Sequence, residues 1–219
     1  RYDELMRALA KFNPDHPLLN AVYAPQVATL GKVQHPEPML SLDKAYSLVE
    51  VVEWARKYAR TSDEPLLVEP KYDGISARYD GRILATRGDG EEGENISDKI
   101  PLIELEAPEY RGKLDRPTRG EIVIRTDDFA TLYSHIRKKG GGTYKNSRNA
   151  VAGIMSLKDI APMLQQGARL TLVDYELISH KVKLSELADG WETLLAEMEA
   201  LPYPLDGIVI KLADAEYAE

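Results

Sequence analysis

The chain has 219 residues, enough for one large or two modest domains with a sizeable buried core. Hydrophobic residues make up 43% and charged residues 29%, ordinary values for a globular protein, and the absence of cysteine excludes a disulfide framework and a cysteine-ligated zinc site. The net charge of −8 excludes a chain that is polybasic throughout, so any nucleic-acid contact needs a local patch, and no apolar run approaches the roughly 20 residues of a membrane span.

The opening stretch, RYDELMRALAKFN, has no signal-peptide pattern. Leu5, Leu9 and Phe12 recur there at helical spacing, which predicts an amphipathic helix over residues 2–13, stopped by Asn13 and Pro14. That helix starts without a cap, and the final IKLADAEYAE reaches no turn, so the chain reads as a fragment of a longer protein. Pro14, Pro17, Pro25, Pro36 and Pro38 make residues 14–40 an irregular linker. Ser47 is placed to cap a helix over about 47–60, with Glu50 completing a capping box and Val51, Trp54 and Tyr58 along one face.

From residue 66 the period changes to that of strands. LLVEPK, ISARYD, RILATRG, TRGEIVI, ARLTLVDYELI and LDGIVIKL read as strands, separated by turns such as Asp80-Gly81 and Asp89-Gly90. Helices are predicted near 127–139 and 186–200, with a shorter one at 149–154. Strands outnumber crossover helices, so the expected fold class is α+β with antiparallel sheets and flanking helices. The expected division is a helical N-terminal segment over 1–60 and a main domain over 61–219.

Lys71 is the anomaly, because it sits in an apolar strand pattern between Glu69 and Asp73. EPKYDG (69–74), TRGDG (86–90), RGE (119–121) and DGIVIK (206–211) each put charge at a strand end. A lysine amine attacks phosphorus only when deprotonated; burial or a neighbouring cation favours that state, while carboxylates position the amine or take its proton. Arg87 and Lys211 suit a phosphate, Glu69 and Glu121 suit a purine and ribose, and Tyr175 offers an aromatic face. Each piece alone reads more simply: solvated turns for KYDG and RGDG, core packing for Tyr175, a surface lysine for Lys211. The basic run IRKKGGGTYKNSRNA (136–150) carries Arg137, Lys138, Lys139, Lys145 and Arg148, and reads equally as a solvated loop or as a phosphate-gripping one.

The pieces together, in this order, resemble the covalent nucleotidyltransferases: DNA ligases, RNA ligases and capping enzymes, whose lysine lies in a K-x-D-G motif, here Lys71-Tyr72-Asp73-Gly74. HPEPMLSLDKAYS (35–47), VEPK before the motif lysine and NSRNAVAGIMSLKD (146–159) are similar to stretches of the bacterial NAD-dependent DNA ligases, with Ser147 where that family has proline. RYDELMRALAKFNPDHP looks like the tail of their N-terminal helical subdomain.

The resemblance implies an enzyme that transfers AMP from NAD to Lys71, with Mg²⁺ assisting and nicotinamide mononucleotide leaving, as the first step of sealing nicked double-stranded DNA. It implies that Glu69 reads adenine, that Ser41 and Leu42 contact NAD, and that Arg87, Glu121 and Lys211 bind ribose and phosphates. Tyr175 would stack on adenine, and Asp73 would support the lysine or a metal. It further implies a monomeric, cytoplasmic protein, with the basic run beside the nick and no membrane partner. The hairpin between Lys71 and Arg87 and the segment before DGIVIK are shorter than in typical members, which suggests a compact, divergent or phage-encoded one. The family's nicotinamide-binding stretch is represented only by Tyr2 and Asp3, and its last lysine motif and DNA-encircling domains are expected outside these residues. Two other readings share the lysine motif: an ATP-dependent ligase or capping enzyme, and a catalytically silent binding subunit.

Overall fold

The computed structural model describes residues 2–14, 16–19, 30–136 and 141–213. The first helix, α1 (Tyr2–Phe12), forms where the apolar spacing places it. Within the proline-rich stretch expected to be irregular lies a short strand, β1 (Lys32–Gln34); residues 20–29 lie outside the described residues. Helix α2 (Leu48–Tyr58) starts at Ser47, whose hydroxyl accepts a hydrogen bond from the Glu50 amide at 3.2 Å. The reciprocal half of the capping box is displaced by one residue, because the Glu50 carboxylate accepts from the Tyr46 amide at 2.8 Å.

Strands β2 (Pro65–Tyr72), β3 (Ile75–Tyr79), β4 (Leu84–Thr86) and β5 (Glu92–Glu94) follow, and β5 pairs with β1. After a 3-10 helix at Ser97–Leu102 come β6 (Ile103–Ala107), β7 (Tyr110–Lys113) and β8 (Thr118–Val123). The helix expected over 127–139 is shorter: α3 (Thr126–Thr131) gives way to a 3-10 turn at Tyr133–His135, and 137–140 lie outside the described residues. Helices α4 (Ser147–Met155) and α5 (Ala161–Gln165) precede β9 (Leu170–Asp174) and β10 (His180–Lys183). Helix α6 (Leu187–Glu199) and strand β11 (Leu205–Leu212) complete the described fold.

Two larger sheets organise these elements. The smaller has the order β10-β2-β11, antiparallel throughout. The larger has the order β4-β3-β8-β9-β6-β7, antiparallel except for the parallel pair β6–β9. The α+β expectation holds, with that one parallel pair added.

Each sheet has its own core. Leu66, Val68 and Leu212 of the small sheet pack with Ala55 of α2 and with Leu187, Leu194 and Met198 of α6. The large sheet buries Ala77, Leu105, Ile122, Leu170 and Leu172 with Ile154 and Met155 of α4. Under that core the fully buried Lys99 donates to Asp98 at 2.5 Å and to the Leu157 carbonyl at 2.6 Å, tying the Ser97–Leu102 turn to the segment after α4. A third cluster, Tyr72, Val123, Val173 and Tyr203, joins the sheets.

The chain crosses from one sheet to the other at Asp73-Gly74, between β2 and β3. A side chain on Gly74 would place its first carbon 2.1 Å from the Ile122 carbonyl oxygen, so only glycine lets the crossover lie against β8.

Candidate active site

Lys71 lies near the end of β2, and its side chain is 37% exposed. The amine donates to Asp206 Oδ2 at 2.6 Å. Asp206 is brought there by a bulge in β11: the register shifts between Leu205 and Gly207, and Gly207 has φ +136°. The Asp206-Gly207 pair, inside a stretch that reads as a regular strand in the sequence, is therefore a strand irregularity that aims a carboxylate at the lysine.

Two strand positions earlier, and so on the same face as Lys71, Glu69 is buried, its side chain only 7% exposed. It accepts from Lys211 Nζ on Oε2 at 2.5 Å and from Ser179 Oγ on Oε1 at 3.2 Å. The antiparallel register puts Glu69 opposite Val209, so Lys211 reaches it diagonally along β11. Asp73, just past β2, accepts from Arg148 Nη1 of α4 at 2.9 Å.

The facing wall belongs to the large sheet. Glu121 of β8 accepts from the Tyr175 hydroxyl on Oε2 at 2.6 Å, and that hydroxyl is also hydrogen-bonded to Ser76 Oγ at 2.8 Å. Burial pushes the Glu121 carboxyl up to about 7, although the Tyr175 hydrogen bond and the charges of Arg148 and Lys71 pull it back. Burial, and then the Glu121 charge, raise the Tyr175 hydroxyl well above its ordinary range. Arg87 follows β4; its amide donates to the Ser76 carbonyl at 2.8 Å and its guanidinium to Ser41 Oγ at 3.3 Å. The Arg87 hairpin is stitched to the preceding segment by the His35 amide on the Glu91 carbonyl and the Met39 amide on the Gly90 carbonyl, each at 2.8 Å.

Lys71, Asp73, Glu69 and Lys211 thus lie on or beside the small sheet, Arg87, Glu121 and Tyr175 on or beside the large one with Ser41 hydrogen-bonded to Arg87, and the Lys71 charge acts across on Glu121. Leu42 is 53% exposed. Of the basic run, Arg137, Lys138 and Lys139 lie outside the described residues, Lys145 is exposed, and Arg148 turns to Asp73. Asp206, Ser76 and Ser179 were not singled out from the sequence. Asp206 had a signal, its place at the head of DGIVIK, whereas the two serines had none. Among the described residues no group of three or more histidine or acidic side chains is arranged to hold a metal.

Comparison with known proteins gives this arrangement a class. A model of the NAD-dependent DNA ligase adenylation domain matches residues 27–186. The chain is therefore an adenylation domain of the nucleotidyltransferase class, and it belongs to the NAD-dependent DNA ligase family. It is 32% identical to the DNA ligase of Alkalilimnicola ehrlichii over 264 aligned positions, covering 100% of this chain and 39% of that protein. The DNA ligase of Chloroflexus aurantiacus is 31% identical, covering 97% of this chain and 38% of its own length. That of Halothermothrix orenii is 30% identical, with 96% and 38% covered. The chain thus spans about two-fifths of the curated relatives it matches. The family match favours the NAD-dependent reading over the ATP-dependent and silent-subunit ones. Among the described residues no helix is long and apolar enough to cross a membrane.

Proposed function

We propose that this chain carries out adenylate transfer from NAD to Lys71, the step that charges a DNA ligase before it seals a nick. The observation that supports the reading most is the position of Lys71: on the seam between the sheets, with its amine on Asp206 and the Glu121–Tyr175 pair close enough for its charge to act on Glu121.

In this reaction the Lys71 amine passes its proton to Asp206 and attacks the phosphorus of the AMP half. A nitrogen–phosphorus bond forms, the pyrophosphate oxygen–phosphorus bond breaks, and nicotinamide mononucleotide leaves with the bond's electron pair. Arg87 and Lys211 offset charge on the phosphate oxygens. Lys211 is held ready by Glu69, and the Glu69 carboxylate is the group that would accept from the adenine amino group. Glu121 takes the ribose hydroxyls, and the Tyr175 ring lines the base pocket. Ser41 and Leu42 approach NAD from the strap beside Arg87.

Mg²⁺ draws most of its ligands from phosphates and water and needs only one or two carboxylates, so Asp73 and Asp206, flanking the lysine, fit it. When bound it supplies charge neutralisation at the pyrophosphate. Nicked DNA is the proposed partner, met by Lys145, Arg148 and the Arg137, Lys138 and Lys139 run.

Intact-mass measurement after incubation with NAD tests the reading. Joined to the family's nicotinamide-binding stretch, the chain is expected to gain one adenylate, whereas the 219 residues alone should bind AMP and take up adenylate from NAD slowly or not at all. Lys71→Arg should gain none, because a guanidinium stays protonated and does not attack. An adduct on the Arg variant overturns the assignment.

A further inference from the structure

The nucleophile and its pocket wall sit on different sheets, so their spacing depends on whatever fixes one sheet against the other. At that junction lies a polar group that the proposed chemistry does not use. Arg125, between β8 and α3, donates from Nη1 to Glu106 Oε2 of β6 and to the Tyr203 hydroxyl, both at 3.2 Å. Its side chain is 16% exposed and that of Glu106 19%. The Arg125 guanidinium also stacks 5.2 Å from the Tyr203 ring centre.

Tyr203 is buried and meets Tyr72 edge-on, ring centres 5.5 Å apart at 89°. Tyr72 is the residue next to Lys71. The backbone on either side of Tyr203 is fixed as well. The Thr126 amide, adjacent to Arg125, donates to the Pro202 carbonyl at 3.0 Å, and the Asp73 amide donates to the Pro204 carbonyl at 2.9 Å. Residues 202–204 therefore form a bridge from the start of α3 to the turn after Lys71. Two residues beyond the bridge is Asp206, the partner of the Lys71 amine.

A half-buried ion pair is weak evidence for stability, since apolar packing of equal volume often serves as well. What directional bonds add is position. Arg125 fixes the Tyr203 hydroxyl, Tyr203 fixes Tyr72 and the bridge, and the bridge fixes both Asp73 and the approach of Asp206. We propose that Arg125, Glu106 and Tyr203 form a latch between the sheets that sets where the Lys71 amine stands relative to the Glu121–Tyr175 wall. Arg125 and Tyr203 are on this view positioning residues. Their effect on adenylate transfer rests on the function proposed above; their effect on Lys71 does not.

Two readouts separate these. In the first, an N-hydroxysuccinimide acetate probe labels the protein at one fixed pH, and peptide mass spectrometry gives the labelling rate of Lys71 relative to exposed Lys113. Arg125→Met and Tyr203→Phe should raise that ratio about threefold by loosening the amine from Asp206. Arg125→Lys should restore it towards the parent value. Arg111→Gln, which removes the more exposed cation on Glu106, should leave it unchanged.

In the second, both latch variants should slow adduct formation from NAD about tenfold while the AMP dissociation constant stays near the parent's. An unchanged labelling ratio in both variants overturns the latch. A rate and an AMP affinity that fall together reduce it to ordinary packing. Should Arg125→Met fail to fold, Tyr203→Phe, which removes one oxygen, decides alone. If the chain joined to the nicotinamide-binding stretch forms no adduct, the proposed function falls and the labelling ratio still judges the latch.

Discussion

On the small sheet each charged group of the site is matched by an opposite charge: Lys71 by Asp206 and Glu69 by Lys211. On the large sheet Glu121 is held by a neutral hydroxyl and carries the cost of burial as a raised proton affinity. The two halves are therefore prepared differently. The small sheet stores charge in pairs that a nucleotide bound as proposed would have to open or share. The large sheet offers prearranged hydrogen bonds that need no rearrangement. In the proposed reaction the developing phosphate charge would meet Lys211 of the first and Arg87 of the second, and the base and sugar would meet Glu69 of the first and Glu121 and Tyr175 of the second.

Merging the halves is the most severe way to break this comparison. Gly74→Ala drives a carbon into the Ile122 carbonyl and should cost more than about 3 kcal/mol or prevent folding, as read by denaturant melts. Next comes the charged half. Glu69→Ala leaves Lys211 and Ser179 without their acceptor and should weaken AMP or NAD binding by one to two orders of magnitude, about 1–3 kcal/mol, measured by calorimetry. An unchanged affinity moves Glu69 out of the pocket.

The hydrogen-bonded half is sharpened by pH. Folded Glu121, at about 7, holds its proton more tightly than the unfolded chain at its ordinary 4.5. Its contribution to stability is thus full below about pH 4.5 and is lost as pH rises through about 7. Glu121→Gln should flatten the fall in melting temperature between those values, an effect on the order of 1–2 kcal/mol after solvent screening. A slope equal to the parent's places the titration elsewhere. The smallest effect is at the rim. Arg148→Gln removes an exposed pair with Asp73 and should cost less than about 1 kcal/mol of stability, while lowering the salt slope of DNA binding by about one.

The lysine strand, the pair of Glu69 and Lys211 as charged site residues and the helices α1, α2 and α6 are plain in the sequence, because these rest on strong periodicity and on residue types that chemistry restricts. What it hid has physical causes. Strands β5 (EGE), β7 (YRGK) and β10 (HKVK) are short and polar, and β6 alternates Ile, Leu and Ala with glutamates, so tertiary pairing rather than propensity makes them strands. The helix expected over 127–139 ends early because Tyr133 is drawn into the core, where its hydroxyl donates to the Arg169 carbonyl. Asp206 falls inside LDGIVIKL, which reads as a regular strand, and the bulge that turns its carboxylate to Lys71 leaves no mark on that pattern. Arg125 gave no signal at all, since its partners Glu106 and Tyr203 lie 19 and 78 residues away.

The distance along the chain between β2 and β11 has a consequence for how the molecule is born. Lys71 and Asp206 are 135 residues apart, and Glu69 and Lys211 are 142 apart. During synthesis the lysine strand leaves the ribosome long before the strand that completes its sheet. At the pace of translation, about 5–20 residues per second, that interval is several seconds or more. Until β11 arrives, Lys71 lacks its carboxylate, and Glu69 lacks the cation that makes its burial tolerable. Both pairs are thus absent from any partial chain that lacks β11 and form only when that strand closes against β2.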